Sequence, residues 1–205
     1  RDKVAAVKAI PRKLGLAAWR TVSSMVSELF TANNGVGPQM DCGHNVFDST
    51  NHGNLGSEAL SATAWDNVVQ AMFKQTEASS GKRLGIRPAY LLVPIELEKT
   101  ALEILTSEGE PGTSNNTRNV RRLAADRVIT VPEWTDANNW AAAAEPAMAQ
   151  GVCIGYRFGR APELFIADDE AVGSMFTNDE MRIKARFVVT VGVADYRALY
   201  KNNVA

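Results

Sequence analysis

The chain of 205 residues is 45% hydrophobic, which is enough to build one packed core or two small ones. Its 22 basic and 23 acidic residues leave a formal charge of -1, which excludes a global cationic field of the kind that binds nucleic acids or membranes. With 2 cysteines and no apolar stretch near the roughly 20 residues of a membrane-spanning helix, the sequence predicts a soluble protein of a reducing compartment.

Three amphipathic helices are predicted along the first half of the chain. Apolar residues recur at helical spacing over Leu14–Phe30, after Pro11 and before a run of asparagine and glycine. Ser61 is a plausible N-cap for a second helix that ends near Gly81, and Pro94 suits the first turn of a third. Such apolar stripes are packing faces far more often than cofactor sites, so we interpret these helices as scaffold.

Short strands and two long connections complete the first three quarters of the chain. The apolar run Ala89–Val93 predicts a buried strand. Three further short strands are predicted at residues 128–131, 152–158 and 164–167. Residues 34–57 are rich in glycine and asparagine, which predicts a long connection. Residues 106–119 contain no aliphatic or aromatic residue, which predicts an exposed loop whose tip reaches outward.

The clearest predicted strand lies near the C-terminal end, where residues 181–193 alternate between apolar and polar side chains. One face of this strand is apolar, and the other carries Arg182, Lys184 and Arg186. At about 3.3 Å per residue it would span about 40 Å, which is longer than most strands of compact domains. An elongated subunit of the α+β class is implied.

Charge is unevenly distributed along the chain. The first 20 residues are strongly basic, whereas an acidic cluster lies between residues 163 and 180. Charge runs are most often solvated faces, and the alternative is that these two segments pair between subunits. The candidate assembly residues are Arg12, Lys13, Arg20, Glu163, Asp168, Asp169 and Glu170.

No catalytic constellation is apparent in the sequence. Both histidines lie in the connection over residues 34–57, and no G-x-S-x-G or phosphate-binding glycine motif is present. A zinc site could be drawn from Cys42, His44, Asp48 and His52, but the spacing C-x-H-x7-H matches no standard ligand pattern. We therefore predict polar loop residues that bond to backbone, with no metal, no cofactor and no enzymatic activity. A small metal-dependent enzyme is the less favoured alternative.

Four segments, in this order, resemble the major capsid (major head) subunit of Mu-like tailed bacteriophages and prophages. They are IPRKLGLAAWRT at Ile10–Thr21, NHGNLGSEALS at Asn51–Ser61, IRPAYLLVP at Ile86–Pro94 and DYRALYKN at Asp195–Asn202. The resemblance covers essentially the whole chain, although residues 106–148 are divergent. Each segment alone is moderately specific, and their order carries the likeness.

The resemblance implies the tailed-phage major capsid fold, an α+β fold with a spine helix, a long peripheral strand and a separate axial-domain sheet. Residues 1–56 and 173–205 would form the peripheral domain, with the spine helix at about 14–33 and the long strand at about 181–193. Residues 57–172 would form the axial domain, with its polar loop near a symmetry axis. The family pattern also has an N-terminal arm and an extended loop that lock neighbouring subunits, and both are expected to be absent from this sequence.

The resemblance further implies a structural protein that assembles with itself into pentamers and hexamers of an icosahedral head enclosing double-stranded DNA. Portal, scaffold or decoration proteins would be further partners, DNA contact would be non-specific, and no membrane would be involved. The protein would be assembled in the host cytoplasm and reside in the virion. The basic N-terminal stretch would meet the acidic cluster of a neighbour or face DNA. An encapsulin-like compartment shell is the alternative.

Overall fold

The computed structural model describes residues 6–109 and 117–204. Its helices are α1 (Ala6–Gly35), α2 (Ala62–Lys74), α3 (Glu98–Thr106) and α4 (Gly173–Asn178). Its strands are β1 (Leu55–Gly56), β2 (Pro88–Val93), β3 (Val128–Thr130), β4 (Trp140–Ala144), β5 (Val152–Arg157), β6 (Glu163–Ala167), β7 (Arg182–Arg186), β8 (Val188–Val193) and β9 (Leu199–Asn202). The chain is therefore mixed α and β, as predicted. None of the described helices has the length and apolar character needed to cross a membrane.

The chain divides into two compact units. The first, which we call the hairpin unit, holds the residues up to Met25 together with Ile154–Val191. The second, the sheet unit, holds Val26–Cys153 and the residues from Gly192 onward. These bounds differ from the boundaries expected at residues 56 and 172, and the assignment of peripheral and axial domains stays a prediction.

The sheet unit is organised around a five-stranded mixed sheet in the order β1-β9-β4-β2-β3. Strand β2 pairs parallel with β3 and antiparallel with β4, which in turn runs antiparallel to β9. The largest fully buried side chains include Trp65 of α2, Trp140 of β4 and Leu105 of α3. The core therefore forms where these two helices and the central strands contribute their apolar residues.

Helix α2 begins as the sequence predicts, because the Ala64 N–H donates to Ser61 Oγ at 3.0 Å. It ends at Lys74, earlier than the predicted end near Gly81. The third helix follows Pro94 through a short 3-10 turn, Ile95–Leu97. Residues 110–116, half of the exposed loop expected at 106–119, lie outside the described residues.

Helix α1 begins earlier than its apolar stripe suggests, at Ala6, and includes Pro11. Proline lacks a backbone N–H, so this residue removes one hydrogen bond near the start of the helix. At the other end, Ala32, Asn33 and Asn34 leave helical geometry. Gly35 has a φ of 84°, and an added Cβ would lie 2.5 Å from Asn203 Oδ1, so this position requires glycine.

A buried lysine closes the C-terminal end of α1. Lys201 of β9 is 2% exposed, and its Nζ donates to the carbonyls of Phe30 at 2.6 Å and Gly35 at 2.8 Å. Burial lowers the pKa of Lys201 to about 8, and the nearby charge of Asp136 opposes that shift. Helix ends leave carbonyls without intrahelical partners, and here a cation from a distant strand satisfies two of them.

Two two-stranded sheets lie largely in the hairpin unit: β5 pairs with β8, and β6 pairs antiparallel with β7. The prediction of one strand over residues 181–193 is wrong, because β7 ends at Arg186 and β8 begins at Val188. The chain changes its partner strand at Phe187, whose ring packs against Trp19 at 5.8 Å and Tyr156 at 6.0 Å between centroids. The alternation of side chains continues across this break, so sequence periodicity does not reveal it.

Candidate functional site

The basic residues expected to mediate assembly lie on the N-terminal part of α1. Arg12, Lys13 and Arg20 are all exposed in the hairpin unit. No ion pair within residues 6–109 and 117–204 joins them to the acidic cluster. Three cations on one exposed helical segment are therefore available to a partner, and their pairing with a neighbouring subunit stays a prediction.

The acidic candidates lie on β6 and in the turn that follows it. Glu163 accepts hydrogen bonds from Arg186 of β7, with Arg186 Nη2 at 2.7 Å from Glu163 Oε2. Asp169 Oδ1 accepts from the Ala171 N–H at 2.9 Å, which stabilises the turn. Glu163 is thus already engaged within its own hairpin. Asp168, Asp169 and Glu170 are exposed.

Strands β6 and β7 form a two-stranded ribbon with two different faces. Their register places Glu163 opposite Arg186, Phe165 opposite Lys184 and Ala167 opposite Arg182. Because directly opposed residues share a face, these side chains form a charged face. The intervening residues form what we call the apolar face of the ribbon: Leu164, Ile166, Ile183 and Ala185.

The apolar face is largely uncovered in the single chain. Leu164 is 42% exposed and Ile166 is 53% exposed. Nearby in sequence, Phe176 is 72% exposed. Among the described side chains of the hairpin unit, Val22 alone is buried. A two-stranded ribbon is marginally stable by itself, so the uncovered apolar side chains on this face are candidates for contact with another protein.

The sequence predicted an apolar and a cationic face for residues 181–193, so Ile183 and Ala185 were already assigned to an apolar face. It did not reveal the pairing with β6 that builds the ribbon and adds Leu164 and Ile166 to that face. Leu164 and Ile166 alternate with Phe165, so both faces of β6 carry an apolar residue, and period-two patterning alone could not say which face is charged. The register with β7 identifies the charged face, since the basic residues of β7 lie opposite Glu163, Phe165 and Ala167.

The proposed zinc ligands lie in the loop between α1 and β1 of the sheet unit. His52 is buried, its Nδ1 lies 3.1 Å from the Val46 carbonyl oxygen, and its ring stacks on Tyr196 at 3.8 Å. The His44 ring faces that of His52 edge-on, with 6.0 Å between the two ring centroids, and its Nδ1 lies 3.9 Å from Asp48 Oδ2. The described residues contain no group of three or more histidine, cysteine or acidic side chains arranged to hold a metal ion. The buried polar residues bond instead to backbone, as Asn54 does when its Nδ2 donates to the Val46 carbonyl at 2.9 Å.

Asp48 organises the end of this loop. Its carboxylate accepts from the N–H groups of Thr50 and Asn51, both at 2.7 Å, and from Asn51 Nδ2 at 3.0 Å. These donors, the Asn51 backbone first, lower the pKa of Asp48 from 3.8 to about 2. The carboxylate therefore stabilises the fold above pH 3.8, and its contribution is lost as the pH falls from 3.8 to about 2.

Replacing Asp48 with asparagine is expected to remove part of the acid dependence of stability. Urea unfolding measured between pH 6 and pH 2 should show a smaller loss of free energy in Asp48→Asn than in the wild type, because the variant has no carboxylate to protonate there. The exposed Asp126 provides the control, since Asp126→Asn should keep the wild-type slope. An unchanged slope in Asp48→Asn would show that these hydrogen bonds do not contribute as described.

Comparisons with known proteins bear on the whole chain. A family model described as phage capsid protein matches residues 1–202. Among solved structures, the chain is similar to one from the cryo-EM structure of the holo-SrpI encapsulin complex from Synechococcus elongatus PCC 7942, with 14% sequence identity and a TM-score of 0.49. That match covers 95% of this chain and 65% of the other, so the chain spans about two thirds of its length. No curated protein matches the chain.

Proposed function

Because the chain belongs to the phage capsid protein family, we propose that it is a structural subunit that assembles with itself into the shell of a phage head. In this proposal the shell is the icosahedral head of a tailed, Mu-like phage, built from pentamers and hexamers around double-stranded DNA. The family match over residues 1–202 carries the proposal. The protein acts by binding its own copies, without catalysis, and resides in the virion after assembly in the host cytoplasm.

The hairpin unit offers the surfaces that such assembly requires. Its ribbon exposes an apolar face through Leu164 and Ile166, and α1 exposes three cations. In a closed symmetric shell each contact repeats at every copy, so modest interfaces add up to a stable particle. In this proposal the apolar face becomes the buried part of the contact between subunits. The charged residues around it pair with those of the neighbouring subunit and set the orientation of the two subunits.

The charges predict a reciprocal exchange experiment. Arg12→Glu with Lys13→Glu should reduce particle formation by about tenfold or more, because two attractive contacts per interface become repulsive. Adding Asp168→Lys and Asp169→Lys to the same chain should restore assembly if the two segments meet across subunits. Particle yield is measured by sedimentation, with circular dichroism confirming that each variant is folded. Normal yield from the first double variant would refute a role for these cations in assembly.

Shells that form at normal yield from the double variant but enclose less DNA would favour the other proposed role of the basic stretch, which is contact with packaged DNA. Phosphate contacts of this kind weaken steeply as salt rises. The DNA content of particles at two salt concentrations therefore separates the two roles.

An encapsulin-like compartment is the alternative, in which the shell would enclose protein cargo. The content of particles purified from the source distinguishes the two. We expect nuclease-protected double-stranded DNA, and genes for a portal, a terminase and tail proteins beside this one. Particles that hold a cargo protein and no DNA would support the compartment instead.

A further inference from the structure

The loop between α1 and β1 contains a feature that shell assembly does not require. Cys42 is exposed, and its Sγ lies 3.4 Å from Nε2 of the buried His52. This distance is within hydrogen-bonding range for sulfur. Nine residues separate the two in sequence, so it is the fold of the loop that brings them together.

The surroundings of His52 determine which ring nitrogen faces the Cys42 thiol and which ring nitrogen carries the proton. The Val46 carbonyl can only accept a hydrogen bond, so His52 Nδ1, at 3.1 Å, donates to it. In the neutral imidazole this leaves Nε2 as an acceptor, directed at Cys42. Stacking on Tyr196, at 3.8 Å and 13° between planes, holds the ring in place. A nucleophile, a base and a group that orients the base are thus aligned.

We propose that Cys42 is a thiol–disulfide exchange site for small linear disulfides, with His52 as its general base. The Cys42 proton passes to His52 Nε2 while Sγ attacks one sulfur of the disulfide. A bond forms between Sγ and that sulfur, and the bond between the two reagent sulfurs breaks. The second sulfur leaves as a thiolate and takes the proton from His52. One thiol and one disulfide yield one mixed disulfide and one thiol, so no other oxidant is needed.

The second cysteine of the chain provides an internal comparison. Cys153 is partly buried on β5, whereas both histidines of the sequence lie in the loop that carries Cys42. The exchange reaction should therefore modify Cys42 first. Mass spectrometry of a tryptic digest, after brief exposure of the native protein to oxidised glutathione, should find the mixed disulfide on the Cys42 peptide.

Rates test the role of His52 directly. In a Cys153→Ser background, exchange with dithiobis(nitrobenzoate) at pH 7 is followed by release of the coloured thiolate. His52→Gln should slow the reaction by about tenfold or more, because the variant has no imidazole to accept the thiol proton. His44→Gln is the matched control and should leave the rate nearly unchanged, because among the described residues the Cys42 thiol is hydrogen-bonded to His52 and not to His44. An equal rate in His52→Gln and the parent would overturn the proposal.

A second measurement remains valid if His52→Gln fails to fold. The Cys153→Ser chain is compared in its native state and in urea at the same pH, with a short cysteine peptide correcting for the effect of urea on the reagent. We expect native Cys42 to react about tenfold faster than the unfolded chain, because only the native loop supplies the base. A native rate equal to or below the unfolded rate would overturn the proposal. Neither result depends on whether the protein forms shells.

Discussion

Replacing Lys201 with methionine is expected to lower the free energy of unfolding by about 2–3 kcal/mol, because two backbone carbonyls would lose a charged hydrogen-bond donor. The lysine donates to the carbonyls of Phe30 and Gly35 from a buried position. Methionine fills a similar volume but cannot donate, so both acceptors at the end of α1 lose a partner. At pH 7, which is below the Lys201 pKa of about 8, the ammonium is charged. Urea unfolding at this pH therefore measures what the charged lysine contributes to stability.

An exposed lysine provides the matched control for this substitution. The Lys99 side chain is 87% exposed and lies 3.8 Å from Glu103, an arrangement of small energetic value. Lys99→Met should therefore change the free energy of unfolding by no more than about 0.5 kcal/mol. If Lys201→Met were as stable as Lys99→Met, the cost of burying the ammonium would equal the gain from its hydrogen bonds, and Lys201 would not be a stabilising cap.

Replacing Ile166 with lysine is expected to reduce particle formation by about tenfold or more while leaving the sheet unit folded. Ile166 is 53% exposed on the apolar face of the ribbon, so the single chain tolerates a charge there. In an interface the same charge would be buried without a partner, at a cost of several kcal/mol. Sedimentation of equal amounts of variant and wild type measures the assembled fraction.

The neighbouring residue on the opposite face controls for a general effect of added charge. Ala167 lies on the charged face, opposite Arg182, and is exposed. Ala167→Lys should assemble nearly as well as the wild type, because its side chain remains in solvent. Equal assembly of Ile166→Lys and the wild type would show that subunits do not bury the apolar face.

Local signals predicted much of the fold. The Ser61 cap fixes the start of α2, and breakers on both sides of Ala89–Val93 delimit β2. The central strand β4 was missed because Trp140–Ala144 is mostly alanine, which has low strand propensity. It becomes a strand because β2 and β9 flank it on both sides and small side chains suit a fully buried position. The conformation of β4, the central strand of the sheet, is therefore determined by its tertiary contacts and not by its local sequence.

The candidate sites depend on contacts between residues that are distant in sequence. Lys201 meets Phe30 across 171 positions, and no local pattern marks a lysine as buried. Spacing alone allowed Cys42 and His52 to be either metal ligands or, as predicted, polar loop residues that bond to backbone. It does not reveal that the two side chains meet, or the ring orientation set by the Val46 carbonyl. Of the basic candidates, Arg20 lies within the helix predicted at Leu14–Phe30, whereas Arg12 and Lys13 precede that range. The structure includes all three in α1, because the helix begins at Ala6, ahead of the apolar stripe that the periodicity detects.

Electron microscopy of the protein purified from its source determines whether the protein forms shells. We expect closed, uniform, symmetric shells, because one subunit type repeats the same contacts until the surface closes. Their number should fall in Ile166→Lys and remain in Ala167→Lys. Single subunits or open, irregular aggregates under all conditions that keep the protein folded would contradict the assignment of this chain as a shell subunit.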